Sequence, residues 1–187
     1  LCRMESVKND IRKLWARQQI GSTDVDYGLW EQKRATLQQM SAMSHSSIFT
    51  ADVYKGIYDY ASHGFTELLG ISPRLLENVR KEGDFIEYLI HPDDREQLLG
   101  LQLMHGQFIY SLPPQQRNDY RTVYQMRMRN ARKESVNVTS RQEVSETDCM
   151  GKSWMIMVIM EFSADQAPDG MVKCSVFNQR PCCYCNY

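Results

Sequence analysis

Residues 120–162 decide the fold: Tyr120-Arg121-Thr122-Val123-Tyr124-Gln125-Met126-Arg127-Met128-Arg129-Asn130, a polar turn, a Val/Thr-rich run, Asp148-Cys149-Met150-Gly151, and Trp154-Met155-Ile156-Met157-Val158-Ile159-Met160-Glu161-Phe162. Tyr124, Met126 and Met128 alternate with Gln125, Arg127 and Arg129, the period of a strand with one buried face. The run at 154–162 is apolar at nearly every position, so it is predicted to be the most enclosed strand of the same sheet. Between them, residues 136–144 read as a middle strand, bounded by turns at 130–134 and 148–151. Three strands in succession joined by short turns make an antiparallel meander.

Upstream, Leu98, Leu101, Met104 or His105, and Phe108 give an inward stripe to a helix predicted over 95–110. His91-Pro92-Asp93-Asp94 opens it, with proline at an early position and acidic groups favoured by the helix dipole. Pro113-Pro114 ends it. Residues 48–53 and 56–61 read as a hairpin around Tyr54-Lys55-Gly56. Ser62 is predicted to cap a short helix over 65–69 that stops at Gly70, and Ser72-Pro73 to start another over 75–79. Phe85 to Ile90 adds a compact apolar segment.

Two helices are predicted ahead of the hairpin. Val7, Ile11, Leu14 and Trp15 form one stripe over 7–19; Trp30, Leu37 and Met40 lie near one face of 27–43. The second helix either caps its own sheet or forms a dimer seam.

The 187 residues suffice for one domain with a real core and an appendage. Twenty-two basic and 23 acidic side chains leave a net charge of −1, which lacks the footprint of a dedicated nucleic-acid binder. No window is long and apolar enough for a bilayer span and the opening residues are charged, so a soluble, cytoplasmic protein is expected. The absence of Met at position 1 suggests a processed or trimmed chain. Free thiols are the expected state of the six cysteines. Cys182 and Cys185 form a C-x-x-C, but no second close pair completes a zinc site, so no metal is expected.

Taken together, Ile57-Tyr58-Asp59-Tyr60-Ala61-Ser62, Phe65-Thr66-Glu67-Leu68-Leu69-Gly70, His91-Pro92-Asp93-Asp94 and the meander resemble a PAS domain over about residues 47–165. Pro113-Pro114, Arg117 and Asp119-Tyr120-Arg121 are most similar to bacterial PAS modules that precede a LuxR-type helix-turn-helix. Two departures stand out: the glycine usual in the first turn of the meander is missing from 130–134, and 163–187 is too short for a DNA-reading module. The resemblance implies an α+β fold with a five-stranded antiparallel sheet, short flanking helices and one longer helix. It divides the chain into a helical extension (1–46), a sensor domain (47–165) and a tail or linker (166–187).

The resemblance also implies a cavity on the concave face of the sheet. Candidate lining residues are Phe49, Tyr58, Phe65, Leu69, Phe85, Leu101, Phe108, Tyr124, Met126, Met128, Trp154 and Met157. For each one taken singly, ordinary core is the plainer reading, and methionine suits both roles. A small apolar or aromatic ligand and a homodimer through the N-terminal helix or the sheet are the partners implied. Some PAS sensors that bind haem carry an axial histidine in the long helix, which singles out His105; a partly exposed polar side chain is the plainer reading. None of the six cysteines sits where a flavin photosensor needs its adduct-forming thiol. Acidic neighbours would raise the pKa of Cys149 and leave it inert. His91 is expected to fix a turn, Asp93 and Asp94 to cap, and Arg127 and Arg129 to face solvent. No phosphate loop, nucleophile elbow or paired catalytic carboxylates occur, so no enzymatic activity is expected. The functional expectation is a sensory or ligand-binding module of a signalling or transcription-regulating protein. The alternative is a protein–protein interaction module with a filled core.

Overall fold

The computed structural model describes residues 2–44, 46–78, 85–164 and 171–179, without the side chains of 2, 3, 77, 78 and 85. Cys182, Cys183 and Cys185 lie outside these residues. Two helices, α1 (Cys2–Ala16) and α2 (Tyr27–Ser44), precede a hairpin of β1 (Ser47–Asp52) and β2 (Ile57–Ala61). Next come α3 (Gly64–Leu69), α4 (Arg74–Asn78), α5 (Phe85–Leu89) and α6 (Pro92–Ser111). A 3-10 turn, Pro114–Asp119, leads into β3 (Tyr120–Arg129), β4 (Ser135–Thr147), β5 (Ser153–Phe162) and β6 (Lys173–Asn178).

All six strands form one antiparallel sheet in the order β2-β1-β5-β4-β3-β6. The expected α+β architecture is present, and the meander pairs as its alternation requires. β5 lies between β1 and β4 with Ile48 opposite Ile159 and Arg141 opposite Ile159, which is why it tolerates no charge until Glu161. Ile156, Val158 and Met160 join Phe49, Tyr124, Met126 and Met128 in the main core beneath α3 to α6. On the opposite face Met155 meets Trp30 of α2 in a second cluster with Trp154.

Several local expectations are corrected. The sheet has six strands, because residues 173–178, read as tail, pair with β3 from Tyr120–Asn178 to Gln125–Lys173. This strand is largely exposed and is held by backbone hydrogen bonds, so no apolar alternation announced it. Ser62 does not cap α3: its hydroxyl donates to the Ser46 carbonyl and accepts the Ile48 N–H, stitching the two ends of the hairpin. The stripe of α6 is rotated from the expected one. Leu98, Leu99 and Ile109 are buried, whereas Met104 and Phe108 face outward. Asp94 is no solvated cap and Arg127 no solvated face residue, since the two pair in a buried ion bridge. The missing glycine of the first meander turn is replaced by Asn130, whose side chain accepts the N–H of Arg132 and Glu134, while Lys133 takes φ 64°. Gly70 does end α3 in the left-handed region, φ 68°.

Helix α2 packs on its own sheet. Trp30 Nε1 donates to Asp59 at 2.8 Å, Tyr27 Oη donates to Asp52 at 2.6 Å, and Lys33 pairs with Glu146 at 2.5 Å. No helix among the described residues is long and apolar enough to cross a membrane.

Candidate ligand cavity

The concave face of the sheet is roofed by α1. Its half-buried stripe, Val7, Ile11, Leu14 and Trp15, is the one its periodicity predicts. Leu14 lies against Gly106 of α6, where an added Cβ would come within 2.6 Å of its Cδ2 and push the leucine aside. Trp15 meets Tyr110 edge to face at 5.8 Å. Lys8 reaches α5 through Glu87 at 2.8 Å. After the helix, the Gln18 amide both donates to the Ser153 carbonyl (3.0 Å) and accepts the Ser153 N–H (2.8 Å), closing the roof onto β5.

Beneath α1 lies a cavity of about 820 Å³, bounded by β1, β2, α5, α6 and the faces of β3 to β5. That size falls in the range of small-molecule sites. Its walls are mostly apolar: Phe49, Ile90, Leu99, Ile109, Ile156 and Val158. Among the residues expected to line a cavity, Phe49, Tyr58 and Tyr124 do so, as does His105.

The other candidates are placed elsewhere. Phe65, Leu69, Met126 and Met128 fill the solid core, and Leu101 packs against it. Phe108 is 39% exposed, its ring against Tyr120 at 5.3 Å. Trp154 belongs to the second cluster. Met157, opposite Thr50, alternates onto the face away from Ile156 and Val158. The side chain of Phe85 lies outside the described part. Missing from the expectation were the contributions of α1 and of Tyr110 and Ser153. The signal available was Gly106, a glycine inside a helix that something else approaches closely.

The polar groups of the residues around the cavity divide into paired and unpaired ones, the unpaired hydroxyls being packed away from solvent. His105 Nε2 hydrogen-bonds Thr122 Oγ1, and burial pushes the imidazole down to about 4, so it is neutral at physiological pH. Haem coordination through this nitrogen would break the bond to Thr122. Tyr124, only 2% exposed, carries a buried hydroxyl with no hydrogen-bond partner, as do Tyr110 and Ser153. Burial raises both phenols well above their ordinary values, which keeps them protonated. Cys174 lies across from Tyr124 on β6, its thiol also pushed up by burial; it is a poor nucleophile. No group of three His, Cys, Asp or Glu able to hold a metal occurs among the described residues.

An antiparallel sheet with a run of short helices and one longer helix over one face is the architecture of PAS and LOV domains, and this chain has that fold, with α2 added on the other face. The LOV protein of Rhodobacter sphaeroides superposes with a TM-score of 0.53 at 11% identity, covering 75% of this chain and 69% of its own. The PAS domain of a Colwellia psychrerythraea protein gives 0.49 at 15% identity, covering 71% and 95%. The PAS domain of the fruit-fly ELK potassium channel gives 0.49 at 12%, covering 68% and 94%. No family model and no curated protein matches the sequence. At these identities the likeness is one of fold.

Proposed function

We propose that the chain is a non-catalytic sensory PAS module that reads a small, largely apolar ligand in the cavity beneath α1. The observation that carries this reading is the cavity itself, about 820 Å³ and apolar on most of its wall. Occupancy would favour one packing of α1 and the sheet over another, a population shift relayed through the N-terminal helices. In a cytoplasmic transcription-regulating system of the LuxR kind this chain would be the sensor part, with DNA contacted by another module. Its near-zero net charge supports that division of labour.

The test is native mass spectrometry of the freshly purified chain against its denatured mass. A stoichiometric adduct of small-molecule mass supports the reading. A bare chain whose cavity methyl resonances ignore every small molecule added counts against it.

A second reading, an interaction module with a filled core, draws on the solid packing of Phe65, Leu69, Met126 and Met128 and on the exposed stripe of α2. In that case no adduct appears and the mass reports a dimer.

A further inference from the structure

Among the described residues, the cavity wall carries one cation that no acid answers. The acidic residues of the wall are engaged: Glu87 pairs with Lys8 at 2.8 Å and Glu143 with Arg121 at 2.8 Å. Asp52 accepts from the Tyr27 hydroxyl and the Lys55 N–H, and lies 4.0 Å from the Lys55 ammonium. Of the basic residues, Lys8 is matched by Glu87 and Arg12 by Glu5 at 3.3 Å. Arg117, half-buried, is met by carbonyls alone: Nε donates to Leu112 at 3.3 Å and Nη1 to Gly151 at 3.4 Å. Those oxygens bear no formal charge, and Nη2 keeps both its N–H groups without a protein acceptor among the described residues. The guanidinium carbon lies 5.0 Å from the ring centroid of Tyr110, another residue of the wall, so the charged head is held beside the cavity.

Taking the cavity as the ligand site proposed above, we propose that its ligand is an amphipathic monocarboxylate whose anionic end pairs with Arg117. The apolar body lies against Phe49, Ile156 and Val158, which line the same cavity. A carboxylate that leaves water needs a counter-charge, and the planar guanidinium fork offers one in matching geometry. Two carbonyls and an aromatic ring already hold that fork, so little of its freedom is lost on binding. Gln142, opposite Thr122 and Val158, adds a neutral amide to the wall and no second charge. A cationic guest would meet acids that are already paired and an arginine that repels it.

The experiment titrates the full chain, at an ionic strength of about 0.15 M, with three probes that share one two-ring body: naphthoate, its neutral isostere naphthamide, and naphthylmethylammonium. Methyl NMR shifts of Ile156 and Ile109, both in the cavity wall, report binding. Naphthoate is expected to bind about tenfold tighter than naphthamide, with the ammonium weakest. Arg117→Gln should erase the advantage of naphthoate and leave naphthamide binding unchanged. The glutamine amide can still donate to a backbone carbonyl, so the fold should survive the change. If it does not, the Arg117 Nε–H resonance of the parent protein decides: naphthoate should shift it and naphthamide should not. Naphthoate binding no tighter than naphthamide, the ammonium binding tightest, an advantage retained in Arg117→Gln, or an Nε–H resonance indifferent to naphthoate overturns the pairing with Arg117 while the cavity remains a ligand site. Silence of both isoleucines towards all three probes overturns the ligand site as well.

Discussion

The carboxylate of Asp94 accepts hydrogen bonds from both the Arg127 guanidinium, at 2.5 Å, and the Arg127 backbone N–H, at 2.9 Å, tying the first turn of α6 to the last third of β3. The Arg127 carbonyl in turn accepts the His91 N–H at 2.9 Å. Three bonds thus fix where the long helix begins over the sheet, and with it one wall of the cavity. The two ends of the pair are unequal, because Asp94 is 1% exposed while the Arg127 side chain keeps 16%. Burial alone would raise the Asp94 carboxyl; the hydrogen bonds and charge of Arg127 outweigh it and hold the group below its ordinary value. Arg127→Ala therefore strands a buried carboxylate and should cost about 3 kcal/mol. Asp94→Asn leaves an arginine that can reach water and should cost about 1–2 kcal/mol. Urea unfolding at neutral pH checks the order; a larger loss in Asp94→Asn would contradict it.

Stability should also fall in a window set by His105. Its imidazole is depressed by burial to about 4, whereas the unfolded chain takes up a proton near the ordinary value of about 6.5. The unfolded state thus binds the proton that the folded state refuses. The stabilisation is fully present above about pH 6.5 and is lost as pH falls towards about 4, by roughly 2 kcal/mol after allowance for the ring's partial exposure. The groups facing the ring are Thr122 and Tyr124, both neutral there. His105→Gln should flatten the slope between pH 6.5 and 4. Persistence of the full slope in that variant would assign it to another group.

The sheet was legible in the sequence because its strands carry period-2 burial: Tyr124, Met126 and Met128 inward, Gln125, Arg127 and Arg129 at the other face. The sixth strand was not, because Lys173–Asn178 earns its place through backbone pairing with β3 and buries little. The cavity was legible only in part. A list of inward-facing residues cannot separate those that only fill the core, such as Phe65 and Met128, from those that also border the cavity, such as Tyr124. Deciding that requires knowing where α1 lies, and its stripe says that it packs without saying against what. Asp94 and Arg127 read as ordinary surface charges because their partnership spans 33 residues, beyond any local pattern.

Helix α2 presents two stripes about a quarter turn apart. Trp30, Leu37 and Ser41 face the sheet, while Leu29, Met40 and Met43 face outward, Met40 at 59% and Met43 at 83% exposure. Trp30 belongs to the protein's own packing, so replacing it would test folding rather than association. If the chain pairs through α2, Met40→Asp with Met43→Asp should convert dimer to monomer by light scattering with the thermal midpoint shifted by only a few degrees. An unchanged mass for a dimeric parent would move the interface elsewhere.

The roof helix should be separable from the fold it covers. Gln18 is buried and pairs with both backbone groups of Ser153, while α1 otherwise holds on through Leu14 at Gly106, Trp15 at Tyr110 and Lys8 at Glu87. Gln18→Ala leaves the Ser153 N–H and carbonyl without that partner beneath the roof, at a cost of about 1–3 kcal/mol. The backbone of β5 further along is paired to β1 and β4, so it is not weakened directly. The loss should fall on docking of α1 rather than on global unfolding. Hydrogen exchange should then show lost protection across residues 7–16 with residues 156–160 still protected. Because α1 lines the cavity, any adduct that the parent protein holds there should exchange faster in this variant. Equal loss of protection in α1 and β5 would mean that the roof is part of one cooperative unit with the sheet, and cannot act as a separately moving element.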